Sequence, residues 1–129
     1  MRFEHIALNV SDPISMAAWY HTHLGFTRVV AQDSAPFAQF LRADCGMMLE
    51  LYHNPDAPCP DPAQRSPAEL HLALVSKDAQ ADAERLTRAG ATVVEWVHPE
   101  DGSAIAMLRD PWGLAWQLCQ RAPGWPQRS

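Results

Sequence analysis

FEHIALNVSD, residues 3–12, returns in the middle of the chain as ELHLALVSKD, residues 69–78, with histidine, alternating apolar residues and a closing aspartate in the same places. Both stretches alternate with a period of two, the signature of a half-buried strand. In the first, Asp12 precedes Pro13, an N-cap followed by proline in its favoured first-turn position. In the second, Asp78 takes the cap. Ile14, Ala17, Ala18, His21 and Leu24 then recur at helical spacing up to Gly25, and Ala79, Ala83, Leu86 and Ala89 up to Gly90. Three strand-like runs follow each helix: FTRVVA, FAQFLR and MMLELY in the first half, TVVEWV, AIAMLR and LAWQLC in the second.

Each half therefore reads β-α-β-β-β. The offset between equivalent positions stays at 65 to 67 residues from His5/His71 through Gly25/Gly90 and Gly46/Gly113 to Glu50/Gln117. An internal duplication explains that constancy. The predicted fold is α+β, with two β-α-β-β-β modules forming a curved mixed sheet around a concave cleft. Residues 1–129 form a single domain, divided into a first module over 1–53, a linker over 54–67, a second module over 68–120 and a tail over 121–129. The linker NPDAPCPDPAQRSP holds five prolines, too many for a helix or a strand ladder.

Composition narrows the function. The 129 residues, 47% hydrophobic, suffice for one sizeable core. A net charge of −5 without a basic run argues against nucleic acid. No apolar run approaches membrane-spanning length, and the start of the chain has strand alternation where a signal peptide has an unbroken apolar segment; a cytoplasmic protein without a membrane partner is expected. Cys45, Cys59 and Cys119 are odd in number and widely spaced, and read as reduced, partly buried thiols.

Alternation also sorts the strands into two faces. Ile6, Leu8, Val10, Leu49 and Leu51, and Leu70, Leu72, Leu74, Leu114, Trp116 and Leu118, make a large apolar face suited to packing under the helices. His5, Glu50, His71 and Gln117 fall on the other face, beside Ala7, Asn9, Ala73 and Ala115, with Met48 and Tyr52 at one edge. Small residues around isolated polar ones suit a ligand site. Any of the four alone reads as a semi-exposed strand residue. At repeat-equivalent positions they form a set of two nitrogen and two oxygen donors, suited to a divalent cation such as Zn, Ni, Co, Mn or Fe. His21, His23, His53 and His98 read as structural or surface residues, with His98 a further candidate substrate contact.

HIALNVSD, YHTHLGF, LELY, ELHLALV and LRDPWGLAWQL together resemble the vicinal oxygen chelate superfamily, which includes glyoxalase I, methylmalonyl-CoA epimerase, extradiol dioxygenases, fosfomycin-resistance enzymes and the metal-free bleomycin-resistance proteins. The resemblance covers residues 1 to about 120. It places metal ligands at His5, Glu50, His71 and Gln117, most like glyoxalase I, and implies a lyase or isomerase acting on a small oxygen-chelating substrate by proton abstraction and a metal-stabilised enediolate. Glu50, displaced from the metal on substrate binding, or a metal-bound hydroxide is then the catalytic base, and Asn9, Met48, Tyr52 and Asn54 are the substrate-binding residues. Gln117 stands where the metalloenzymes usually carry Glu, which disfavours a ring-cleaving dioxygenase. Asn9 replaces an arginine that holds glutathione in glyoxalase I. The resemblance implies a homodimer, and its alternative is a metal-free binding protein for a flat small molecule.

Overall fold

The computed structural model describes residues 1–126. The chain separates into two compact units, Met1–Pro60 and Asp61 onward, with the boundary inside the proline-rich stretch.

The first unit runs β1 (His5–Asn9), α1 (Pro13–Leu24), β2 (Thr27–Ala31), β3 (Gln39–Arg42) and β4 (Met48–Tyr52). Its four strands form one sheet in the order β1-β4-β3-β2. β1 lies parallel to β4, while β3 is antiparallel to both β4 and β2. Parallel neighbours need a crossover connection, and α1 starts that route. The Asp12 carboxylate accepts from the Ser15 backbone N–H at 3.1 Å, Pro13 occupies the first turn, and Gly25 ends the helix in the left-handed conformation.

The second unit repeats the plan with β5 (Leu72–Val75), α2 (Ala79–Arg88), β6 (Thr92–Val97), β7 (Ala104–Arg109) and β8 (Ala115–Gln120), ordered β5-β8-β7-β6. Here Asp78 caps α2 by accepting from Ala81 N–H at 2.9 Å. The copies share their irregularities too. The register slips between Arg28 and Val30 in β2 and between Val93 and Glu95 in β6. The turn into the last strand is closed in the first unit by Ala43 N–H to Met47 O and Gly46 N–H to Ala43 O, and in the second by Asp110 N–H to Leu114 O and Gly113 N–H to Asp110 O, each at 2.9 Å. The fold is thus the expected α+β duplication of two β-α-β-β-β modules, each with a four-stranded mixed sheet.

Helix α1 packs against β2, β3 and β4, and α2 against β6, β7 and β8. Leu41, Leu49 and Leu51 are buried in the first unit, and Leu108, Trp116 and Leu118 in the second, as alternation predicts. The stripe on α1 is rotated from the expected one. Pro13, Met16, Ala17 and Tyr20 are buried, whereas Ile14 is 40% exposed. Tyr20 decides the phase: its ring is fully buried, and the residues three and four positions before it share its face. On α2 the buried set is Ala79, Ala83 and Leu86, as expected.

Strand β5 begins one residue after His71, so that histidine precedes the ladder. Beyond β8, Ala122 N–H donates to Ser103 Oγ at 2.9 Å and the Arg121 guanidinium lies over the Trp125 ring at 4.0 Å. The end of the expected tail, 127–129, lies outside the described residues. Among those described, no helix is long and apolar enough to cross a membrane.

Candidate functional site

In the first sheet, His5 lies level with Met48 across the parallel pair, and Ala7 level with Glu50. Phe40 lies opposite Glu50, and Arg42 opposite Met48, across the antiparallel pair. Paired residues share a face, so His5, Ala7, Asn9, Met48, Glu50, Tyr52, Phe40 and Arg42 form one surface of the sheet. Leu49, Leu51 and Leu41 on the other face are buried.

Two contacts confirm the sorting. His5 Nε2 is 3.3 Å from Glu50 Oε2. The Phe40 ring meets the His5 ring edge-on, with centroids 5.5 Å apart. The other imidazole nitrogen of His5, Nδ1, contacts the carboxylate of Glu4.

This geometry suits one shared cation. Two ligand atoms each about 2.1 Å from the same ion lie roughly 3.0–3.4 Å apart at tetrahedral or octahedral angles, which brackets the observed separation. A ligating histidine also characteristically holds a carboxylate or carbonyl at its second nitrogen, and Glu4 supplies that for His5. The pair fits as two ligands, and two donors do not complete a coordination sphere. Among the described residues, no group of three or more His, Cys, Asp or Glu side chains is placed to hold a metal ion.

In the second sheet, Gln117 lies level with Ala73 and opposite Met107. His71, two residues before Ala73, is exposed, and its Nδ1 is 2.6 Å from Pro67 O. That anchoring leaves Nε2 without a partner among the described residues. It is not diagnostic by itself, since His21 and His53 hold Phe26 O and Val10 O in the same way. His98 stacks on Trp96, with centroids 5.8 Å apart. The Gln117 carboxamide oxygen accepts from Cys119 Sγ at 3.6 Å.

Cys119 is buried, and burial pushes its thiol above the usual range, so it is not a thiolate at neutral pH. Cys45 and Cys59 are exposed, contrary to the expectation of partly buried thiols.

The expected substrate-binding residues divide into two kinds. Met48 and Tyr52 are half-buried on the His5 face. Asn9 and Asn54 have other work. Asn9 Nδ2 donates to Asn54 O at 3.0 Å, to Pro58 O at 3.1 Å and to Ala57 O at 3.4 Å, while its Oδ1 accepts from Asn54 N–H at 2.8 Å. Asn54 Oδ1 accepts from Asp56 N–H at 2.9 Å and closes a turn. Both Asn9 donor hydrogens are thus committed to fastening residues 54–58 onto the end of β1. Replacing Asn9 by alanine strands these backbone groups and should cost about 1–3 kcal/mol of stability; a urea melt measures it.

Sequence reasoning missed Glu4, Phe40 and Arg42. Alternation along β3 carried the signal for Phe40 and Arg42. It could not find Glu4, which precedes the strand and reaches the His5 ring by side-chain conformation alone.

A family model described as Glyoxalase/Bleomycin resistance protein/Dioxygenase superfamily matches residues 2–118. Among solved structures, TnmS3, an antibiotic binding protein from Streptomyces sp. CB03234, is 22% identical, with 95% of this chain and 97% of that one covered and a TM-score of 0.71. A glyoxalase-related enzyme from Fulvimarina pelagi is 20% identical over 100% and 93%, TM-score 0.72. Lactoylglutathione lyase from Agrobacterium tumefaciens is 20% identical over 92% of each chain, TM-score 0.65. At these identities the likeness concerns the fold. No curated protein matches the chain.

Proposed function

Because the chain belongs to the Glyoxalase/Bleomycin resistance protein/Dioxygenase superfamily, we propose that it is a metal-dependent lyase or isomerase that removes a proton beside a carbonyl of a small, oxygen-chelating substrate. The observation that carries this reading is the His5–Glu50 pair, 3.3 Å apart, with the second His5 nitrogen held by Glu4.

A bound divalent ion would polarise the substrate carbonyl and stabilise the charge that develops on its oxygen. His5 and Glu50 would supply two of its ligands, and the sequence nominates His71 and Gln117 of the second module for the others. Glu50 accepts the substrate proton, a task open to a carboxylate and closed to the carboxamide of Gln117. A neutral Gln117 in the ligand set would leave one carboxylate to hold the ion instead of two.

Elemental analysis of the untagged protein should find about one divalent ion per chain, lost in a His5→Ala/His71→Ala double variant. In Glu50→Gln, deuterium wash-in beside the carbonyl of dihydroxyacetone or of a methylglyoxal thiohemiacetal should fall by about 10²–10⁴-fold, with circular dichroism unchanged. Undiminished exchange in that variant would sink the assignment of the base.

A second reading rests on the apolar side chains around the pair. Phe40 against His5, with Met48 and Tyr52 on the same face, suits a metal-free protein that binds a flat small molecule. Protein that stays free of metal after reconstitution with Zn, Ni, Co, Mn or Fe(II), yet binds a planar aromatic ligand, would favour it.

A further inference from the structure

We propose that Arg42 sets the charge preference of the His5–Glu50 face, and that the small molecule bound there carries a carboxylate. The inference deepens the functional reading above in one respect: it requires that this face bind a small molecule. It does not require the metal.

Register places Arg42 on this face. Arg42 lies opposite Met48, which is level with His5, and two residues beyond Phe40, which lies opposite Glu50. The contact between the Phe40 and His5 rings ties β3 to this face independently of alternation. As a diagonal neighbour, Arg42 stands about 7–8 Å from Glu50 between Cα atoms. Two strand spacings separate it from His5, about 10 Å. A molecule of a few heavy atoms spans that interval.

Arg42 is also uncommitted. Arg65 pairs with Glu69, Arg85 pairs with Asp82, Arg109 donates to the carbonyls of Pro62, Arg65 and Gly113, and Arg121 lies over Trp125. Arg2, Arg28 and Arg88 are, like Arg42, unpaired among the described residues, but of these four only Arg42 is placed by the register on the His5–Glu50 face. The exposed Arg42 guanidinium makes no hydrogen bond or ion pair among the described residues. Thr27 lies opposite it on β2, on the same face, and adds a hydroxyl donor.

The electrostatics of the surface give that charge a role. Glu50 lies on this face and Glu4 contacts its histidine, and both repel an incoming anion. The whole chain carries −5. An acid therefore needs a fixed cation, and a guanidinium with a neighbouring hydroxyl matches the planar, two-oxygen geometry of a carboxylate.

The test uses phenylpyruvate and its primary amide, which share shape and ketone and differ in charge. Binding of each is measured by calorimetry and by NMR shifts of the His5, Phe40 and Glu50 resonances. The wild type, Arg42→Gln and Arg42→Lys are compared, each metal-stripped and each loaded with zinc. The wild type is expected to prefer the acid by about tenfold, less at high salt. Arg42→Gln should lose that preference while holding the amide as tightly as the wild type, and Arg42→Lys should keep part of it. A preference that survives in Arg42→Gln, or equal binding of both probes by the wild type, overturns the role of Arg42. Failure of either probe to bind, with the three resonances unmoved, overturns the small-molecule reading of the face as well.

Discussion

Replacing Gly113 by alanine is expected to destabilise the fold by about 3 kcal/mol, while the same change at Gly46 costs only about 1 kcal/mol. The two glycines are repeat-equivalent and nearly identical in backbone, with φ of +91° and +88°. Any side chain in that region costs about 1–2 kcal/mol. Their surroundings differ. A Cβ at Gly46 meets nothing within 4 Å, whereas at Gly113 it would lie 2.5 Å from the Ala63 Cβ and 2.7 Å and 2.8 Å from the Ala63 backbone. A backbone neighbour cannot swing aside as a flexible side chain would, so overpacking adds a further 1–3 kcal/mol. Paired denaturant melts of the two variants read the difference directly. Equal losses would mean that Ala63 gives way freely.

An effect of similar size or larger is expected at Asp110, which is 5% exposed. Its Oδ1 accepts from the N–H groups of Trp112 and Leu114 at 2.9 and 3.0 Å, and its Oδ2 from the Trp116 indole N–H at 3.2 Å. Alanine there takes the acceptor from three donors, two of them buried (Leu114 N–H and the Trp116 indole), and should cost about 3–5 kcal/mol. Asparagine should cost less, since it keeps one acceptor. The first half turns at Ala43 with the same two backbone hydrogen bonds and no carboxylate. The aspartate is therefore not needed to form the turn; it satisfies the polar groups buried beside it. A chemical melt of Asp110→Ala and Asp110→Asn checks the order, and a loss below about 1 kcal/mol in the alanine variant would contradict the account.

Much of the architecture was legible in the sequence because alternation and caps are local. TVVEWV and AIAMLR coincide with β6 and β7, and Asp12 and Asp78 cap the two helices. Other features depend on tertiary context. The apolar residues of α1 fit more than one helical phase, and burial of Tyr20 rather than Ile14 chose between them.

The site was legible to the same extent. Repeat equivalence brought out His5 and Glu50, which the structure puts in contact. Asn9 sits on the right face for a ligand contact, but its acceptors are main-chain carbonyls 45 to 49 residues further on. No side-chain pattern announces such partners. Glu4 is beyond strand alternation for the same reason: side-chain conformation, not periodicity, brings it to His5.

The proline-rich connector is fastened from both directions. Asn9 of the first unit grips residues 54–58, and Arg109 of the second grips the carbonyls of Pro62 and Arg65. Each unit thus holds its own share of the join. A gene cut near codon 60 would leave both products with a complete fastening, and fusion of two once-separate modules would have needed no new contact to tidy the seam.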